Sequence, residues 1–117
     1  MARGQRVATC AISEAAWQEQ VTQLAGLLGW QFLHVRRTIG RHGQWTTATS
    51  VTGFPDLLLW HESQVRVVAA ELKSERGRLT AAQRAVLRSL ELAGLETYVW
   101  RPSQLAEVQQ ILTNRRS

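Results

Sequence analysis

The residues best suited to chemistry in this chain lie between positions 53 and 73. Asp56 is the only aspartate and Lys73 the only lysine among the 117 residues. Every other acidic side chain is a glutamate, and every other side chain that is positive at neutral pH is an arginine. Because glutamate and arginine serve everywhere else, the aspartate and the lysine indicate positions with a specific chemical requirement.

Two short apolar runs predict a β-hairpin that brings three charged groups together. Residues 57–60 and 65–70 are apolar and β-prone, and the polar residues 61–64 separate them. If the turn centres on Ser63 and Gln64, Asp56 faces Glu71 at a Cβ separation of roughly 5 Å. The second strand continues to Lys73, which the period of two places on the same face as Glu71. We therefore expect Asp56, Glu71 and Lys73 to converge.

Two opposed carboxylates favour a bound cation, because they repel each other without one. Hard oxygen ligands suit Mg²⁺, which typically takes one or two carboxylates and fills its other positions with water and phosphate oxygens. Such an ion polarises a phosphate and acidifies a bound water, and Lys73 would position or deprotonate that water and offset charge developing on phosphorus. The group predicts phosphodiester hydrolysis that depends on Mg²⁺ or Mn²⁺.

The rest of the chain predicts one α/β domain with a central mixed sheet flanked by helices, in the order α-β-β-β-α-β with an additional C-terminal helix. Ser13 is a candidate N-cap for the first helix, and Thr80 with Gln83 has the spacing of a capping box. We expect four tryptophans to fill the core: Trp17, Trp30, Trp60 and Trp100. The predicted segments are helix 14–28, strand 30–37, a long loop 38–53, the hairpin, a helix from 80, strand 95–100 and helix 102–112. The domain is predicted to span residues 13–112, between tails at 1–12 and 113–117.

Composition favours an anionic partner. The chain has 14 Lys and Arg against 9 Asp and Glu, a formal net charge of +5, and such an excess is typical of proteins that bind nucleic acid. The single cysteine, Cys10, allows neither an internal disulfide nor a cysteine-based zinc site. There is no stretch typical of a membrane span or a signal peptide, so we expect a cytoplasmic protein that is not in a membrane.

Three motifs resemble the VRR-NUC branch of the PD-(D/E)xK nuclease superfamily. They are Gly-Phe-Pro-Asp at 53–56, Glu-Leu-Lys at 71–73, and Leu-Thr-Ala-Ala-Gln at 79–83, which opens a helix. The similarity extends over most of the chain, from Ser13 to Pro102, and it implies a restriction-endonuclease-like core. It also implies that Asp56 and Glu71 are metal ligands, with the Leu72 carbonyl as a candidate backbone ligand.

The same resemblance implies roles for three further residues. Lys73 corresponds to the catalytic lysine, and Gln83 to the glutamine that follows the core strand, although the capping box with Thr80 explains Gln83 equally well. The family also tends to have an acidic residue on the first helix, which would be a catalytic residue and a candidate further metal ligand. Glu14 fits that position better than Glu19, although a favourable charge in the first helical turn explains Glu14 equally well.

Basic residues on both sides of the predicted hairpin are candidates for DNA binding. No acidic residue lies between Glu19 and Asp56, and arginines follow the first predicted strand and the catalytic lysine. Together with one tryptophan in the polar loop, they would form a surface that follows the phosphate backbone. The candidates are Arg36, Arg37, Arg41, Trp45, Arg76 and Arg78.

The small stand-alone members that the chain resembles are commonly phage enzymes, and they imply a homodimeric endonuclease that cuts branched DNA such as a four-way junction or a flap. Two alternatives remain open at this point. One is a DNA-binding module of the same fold that does not cleave. The other is a nuclease that acts on RNA or on a specific duplex sequence.

Overall fold

The structure, a computed structural model, describes residues 12–35, 37–39, 45–47 and 51–114. Within them the helices are α1 (Glu14–Leu27), α2 (Ala81–Leu92) and α3 (Leu105–Thr113). The strands are β1 (Gln31–His34), β2 (Arg37–Ile39), β3 (Trp45–Thr47), β4 (Leu57–His61), β5 (Arg66–Leu72) and β6 (Glu96–Trp100). A short 3-10 turn at Pro102–Gln104 precedes α3. The predicted order of helices and strands is confirmed, with one additional hairpin formed by β2 and β3.

Helix α1 begins and ends as its sequence predicts. The Ser13 side chain accepts a hydrogen bond from Ala16 N at 3.1 Å, which satisfies one of the free amides of the first turn. Gly29 then takes a φ of +90°, and a Cβ at this position would lie 2.9 Å from His61 Nε2. Both the left-handed backbone and the close approach of His61 therefore require glycine after α1.

Four strands form a mixed sheet in the order β1-β4-β5-β6. Strand β4 pairs antiparallel with β1 and with β5, and β6 pairs parallel with β5. The β4–β5 register runs from Leu57 opposite Ala70 to His61 opposite Arg66. This is the predicted register, and its continuation by one residue places Asp56 opposite Glu71.

Alternation along the strands divides the sheet into two unlike faces. One face carries the core, where α1 and α3 pack on the sheet, and its buried residues are Trp17, Val21, Ala25, Trp30, Leu57, Leu59, Val68, Ala70, Leu72, Trp100, Val108 and Leu112. Glu71 lies on the other face, where Gln83 of α2 contacts it. The sheet thus separates the core from the face that carries the candidate chemistry.

Trp60 does not belong to the core, so the prediction for this tryptophan is wrong. Leu59 points into the core and is fully buried, and the next residue along a strand must point to the opposite face. There Trp60 is half-buried and donates from Nε1 to Gln31 Oε1 at 2.8 Å. Neighbouring side chains on this face are also open to solvent, since Leu33 is 54% and Val67 44% exposed.

The predicted loop 38–53 contains regular structure, which corrects the sequence prediction. Strands β2 and β3 pair antiparallel, from Arg37 opposite Thr47 to Ile39 opposite Trp45. The β-branched and aromatic residues of these two short segments favour strands, and they outweigh the nearby glycines. The strand predicted over 30–37 is correspondingly divided between β1 and β2.

The described residues nearest the two ends of the chain are Ile12 and Asn114. Ile12 is half-buried and packs against the core, and α3 ends at Thr113. The tail residues 1–11 and 115–117 lie outside the described residues. Within the described part of the chain, no helix has the length and apolar character needed to cross a membrane.

A buried ion pair attaches α3 to the sheet, and no sequence pattern indicated it. Arg66 donates from Nε to Glu96 Oε1 at 3.1 Å and from Nη2 to Glu96 Oε2 at 2.6 Å. Its Nη1 donates to the Ile111 and Asn114 carbonyls at 2.8 and 2.6 Å, at the end of α3. A cation at a helix C-terminus also complements the helix dipole. Arg66 therefore fixes the last helix at the end of the sheet where β5 begins.

We predict that Arg66→Met destabilises the protein by about 3–5 kcal/mol, because the substitution leaves Glu96 buried without its cation. Urea unfolding followed by circular dichroism measures the change. Arg88→Met, at an exposed position of α2, is the matched control and should cost less than about 1 kcal/mol. Equal unfolding midpoints for the two variants would contradict the structural role of Arg66.

Candidate metal centre and active site

Asp56 is held in place at the start of β4. Its Oδ2 accepts a hydrogen bond from Leu72 N at 3.0 Å, so the carboxylate is fixed against the end of β5. The preceding segment packs tightly on α2: Gly53 has a φ of +92°, and a Cβ there would lie 2.6 Å from the Ala82 carbonyl carbon. Gly53 of the Gly-Phe-Pro-Asp motif is thus required by the backbone conformation that leads into Asp56.

Glu71 is the buried acid of the site, with 1% of its surface exposed. Its Oε2 accepts a hydrogen bond from Gln83 Nε2 at 3.0 Å and lies 3.8 Å from Lys73 Nζ. Its Oε1 is buried and has no hydrogen-bond partner. A buried oxygen without a donor costs free energy, and a cation bound between Asp56 and Glu71 would satisfy it.

The electrostatics of the site favour neutralisation of Glu71. Burial raises the pKa of Glu71 from its ordinary value of 4.5 to about 8; the Asp56 carboxylate acts in the same direction, and Lys73 opposes the increase. Without a metal, Glu71 therefore holds a proton at neutral pH. A divalent cation would take the place of that proton.

Gln83 has both of the contacts that the sequence left as alternatives. Its Oε1 accepts from Thr80 N at 2.9 Å and its backbone N donates to Thr80 Oγ1 at 3.0 Å, which completes the capping box. The other end of the same amide donates to Glu71. The start of α2 thereby fixes the orientation of the buried carboxylate.

The Leu72 carbonyl points to the side of β5 on which Asp56 lies. Lys73 N donates to Trp100 O of β6 at 3.1 Å. Because the N–H and C=O of a trans peptide unit point in opposite directions, the Leu72 carbonyl is directed away from β6. This orientation is the one a backbone ligand beside Asp56 requires.

The donor set fits a hard divalent cation. The described residues contain no cluster of three His, Cys, Asp or Glu side chains that could hold an ion. The candidate ligands are therefore two carboxylates, from Asp56 and Glu71, and the Leu72 carbonyl. Mg²⁺ commonly binds through so few protein oxygens and completes its shell with water and phosphate.

Helix α1 begins at the same end of the sheet as the site. Trp17 Nε1 donates to Trp100 O at 2.9 Å, and the same carbonyl accepts from Lys73 N. Glu14, exposed in the first turn, contributes to the raised pKa of Glu71 through its charge. Glu19 lies five residues further along, about 7.5 Å of helical rise away. Of these two glutamates, Glu14 is the one whose charge acts on Glu71.

Four of the six predicted DNA-binding residues lie in the described part of the chain. Arg76 and Arg78 are exposed in the loop that follows Lys73. Arg37 begins β2 and Trp45 begins β3, while Arg36 and Arg41 lie outside the described residues. The structure therefore brings Arg76 and Arg78, of the six candidates, to a described position next to the lysine.

One side chain near the site was not indicated by the sequence. Arg101, directly after β6, donates from Nη1 to the Ser74 and Gly77 carbonyls at 2.8 and 2.6 Å. These contacts join residues at least 24 positions apart and depend on the parallel pairing of β5 with β6. A local sequence pattern could not have revealed them.

Most of the chain matches the model of one known protein family. The family model described as the VRR-NUC domain matches residues 10–104, a range that includes Glu14, Asp56, Glu71, Lys73 and Gln83. The comparison with curated proteins finds no match.

We predict that Glu71→Gln stabilises the metal-free protein at alkaline pH. Between pH 4.5 and about 8 the folded wild type holds a proton that the unfolded chain has released. Its free energy of unfolding must therefore fall as pH rises through this range and level off above it. Glutamine does not titrate, so the free energy of unfolding of the variant should not fall in this way. At pH 8.5 it should be a few kcal/mol higher than that of the wild type.

Urea unfolding in EDTA between pH 5 and 8.5 measures the difference. Glu91→Gln, an exposed substitution on α2, removes the same charge and should follow the wild type. Parallel curves for wild type and Glu71→Gln would contradict the proton assigned to Glu71.

Proposed function

Because the chain belongs to the VRR-NUC domain family of nucleases, we propose that it is a Mg²⁺- or Mn²⁺-dependent endodeoxyribonuclease that hydrolyses phosphodiester bonds in structured or branched DNA. The substrates proposed are a four-way junction or a flap. The proposed setting is the cytoplasm of a bacterial cell or of a phage-infected host.

The observation that carries the proposal is the unpartnered Oε1 of Glu71 opposite Asp56. The two carboxylates supply hard oxygen ligands on one surface of the sheet. Lys73 adds a positive charge there, with its Nζ 3.8 Å from Glu71 Oε2. A purely structural buried acid is normally paired on both oxygens. The Arg66–Glu96 pair in the same protein has that complete pairing.

In the proposed mechanism, each residue of the site has a distinct task. Asp56, Glu71 and the Leu72 carbonyl would hold the divalent cation, and Gln83 keeps the Glu71 carboxylate in orientation by donating to Oε2. The bound cation supplies stabilisation of the negative charge that develops on the reacting phosphate. Lys73 orients the attacking water and compensates charge on the phosphate oxygens. Water adds to phosphorus as one ester P–O bond breaks; the water gives up a proton to solvent, and the departing ester oxygen takes one up from solvent.

The proposal of a DNA substrate is supported by charge. The net charge is +5, and Arg76 and Arg78 are exposed beside Lys73 without an ion pair in the described part of the chain. These features favour contact with a phosphate backbone that is independent of sequence.

We also propose a homodimer, since two sites are needed to cut two strands of a branched substrate symmetrically. The half-exposed Leu33 and Val67, on the sheet face that carries Asp56 and Glu71, support an additional protein contact there. Sedimentation equilibrium tests the state: a mass of one chain at micromolar concentration contradicts the dimer without affecting the proposed chemistry.

A substrate panel tests the proposed activity. Linear duplex, flap, single-stranded and four-way-junction DNA, together with an RNA duplex, would be incubated with and without Mg²⁺ or Mn²⁺. We expect metal-dependent cutting of the junction or flap in preference to linear duplex. Lys73→Ala should lower the rate at least about 100-fold. Tight binding without cutting by the wild type would instead identify a non-cleaving module, and preferred cutting of RNA would change the substrate class.

The carboxylates should be required for cutting but not for binding DNA. Asp56→Asn and Glu71→Gln retain the size of each side chain and remove the charge that holds the cation. We expect both variants to lose cleavage while a gel-shift assay in EDTA shows junction binding at least as tight as for the wild type. Cleavage at wild-type rate by either variant would mean that the site lies elsewhere.

A further inference from the structure

The segment Ser74–Arg78, here named the arginine loop, joins the catalytic strand β5 to helix α2. It follows Lys73 directly, and it carries two arginines, Arg76 and Arg78, whose side chains are exposed. Within the described residues neither guanidinium has a hydrogen bond or an ion pair. The loop thus places two free cations immediately beside the candidate active site.

One side chain, Arg101, contacts three backbone carbonyls of the arginine loop. Arg101 Nη1 donates to Ser74 O at 2.8 Å, to Glu75 O at 3.3 Å and to Gly77 O at 2.6 Å. Hydrogen bonds from a charged donor are stronger than those between neutral groups. A loop without regular secondary structure is thereby held at three of its carbonyls.

A second set of contacts holds the loop against the turn that precedes α3. Glu75 accepts from Ser103 N at 2.9 Å and from Ser103 Oγ at 2.7 Å. These two hydrogen bonds also keep the pKa of the Glu75 carboxyl below its ordinary value. The acidic residue of the loop is therefore engaged with Ser103, whereas its two basic residues are not engaged.

The Ser74, Glu75 and Gly77 carbonyls point toward Arg101, and this fixes the direction of the backbone N–H group that follows each of them. In a trans peptide unit the N–H points opposite to the C=O, so the N–H groups of Glu75, Arg76 and Arg78 point away from Arg101. None of these three amides has a hydrogen-bond acceptor among the described residues. The loop therefore presents three unused backbone donors on the side away from Arg101, and it also carries two exposed guanidinium groups. Both kinds of donor are suited to phosphate oxygens.

We propose that the arginine loop binds DNA backbone phosphates next to the cleavage site, and that Arg101 is the positioning residue that sets the conformation of the loop. A loop fixed before binding loses less conformational entropy when it contacts its ligand. The proposal rests on the proposed function for its ligand, DNA. Its test measures binding without metal, so the result does not depend on cleavage.

The experiment is a salt series of DNA affinity measured by fluorescence anisotropy in EDTA, with a labelled four-way junction. The variants are the loop double variant Arg76→Gln/Arg78→Gln, the single variant Arg101→Gln, and the triple variant that combines them. Because each phosphate contact contributes a slope of about 0.9 in log affinity against log salt, the double variant should reduce the slope by about 2. Arg101→Gln alone should reduce the slope by more than about 1, since it removes the hydrogen bonds that fix three carbonyls of the loop.

The triple variant separates positioning from direct contact. If Arg101 acts through the loop, adding Arg101→Gln to the double variant changes the slope no further. If Arg101 itself touches a phosphate, the triple variant loses about one more unit, and the positioning role is overturned. Arg88→Gln removes the same charge from an exposed position on α2 and should change the slope by no more than about 1.

Two outcomes would overturn the proposal directly. A double variant with the wild-type slope would remove the loop from the DNA interface, and an Arg101→Gln variant that folds and keeps the wild-type slope would remove Arg101 from loop positioning. Circular dichroism verifies folding. If Arg101→Gln fails to fold, Arg101→Lys replaces it in the same comparison, because lysine keeps the charge but cannot reproduce the planar guanidinium contacts. A wild type that binds with this slope but never cuts would overturn the nuclease proposal alone.

Discussion

The pairing of β4 with β5 is the constraint on which the site depends. Leu57 opposite Ala70 and Leu59 opposite Val68 point into the core, and their burial fixes the register. A slip of one residue would turn Glu71 and Lys73 to the opposite face and expose the apolar side chains. The hydrophobic core therefore holds the two carboxylates against each other, and it does so from the face of the sheet that takes no part in the chemistry.

Glu96 and Glu71 are both buried, but their carboxylate oxygens differ in how completely they are paired. Glu96 shares both oxygens with Arg66 in a two-point ion pair that also secures the end of α3. Glu71 is as deeply buried, but its Oε1 has no hydrogen-bond partner. Its Oε2 accepts a hydrogen bond from Gln83 and lies near the Lys73 ammonium group. Complete pairing is what stability alone would select. The incomplete pairing of Glu71 is consistent with an acid that reserves one oxygen for a cation.

Features that depend on local chemistry could be predicted from the sequence. The caps at Ser13 and Thr80, the hairpin register and the α/β order are confirmed, and the family match confirms the resemblance that the motifs indicated. The contacts of Arg66 and Arg101 could not be predicted, since each joins distant segments through the completed sheet. The apolar character of Trp60 predicts a core position, but the buried Leu59 beside it requires Trp60 to point to the opposite face. The glycines around β2 and β3 give this part of the sequence a pattern typical of a loop, so the two short strands could not be predicted.

We propose that Asp56 and Glu71 together bind one divalent cation. Titration of the protein with Mn²⁺ at pH 8, with free Mn²⁺ followed by electron paramagnetic resonance, measures this binding. We expect saturable binding by the wild type and by Lys73→Ala, and loss of that binding in both Asp56→Asn and Glu71→Gln. Unchanged Mn²⁺ binding in the two carboxylate variants would contradict it.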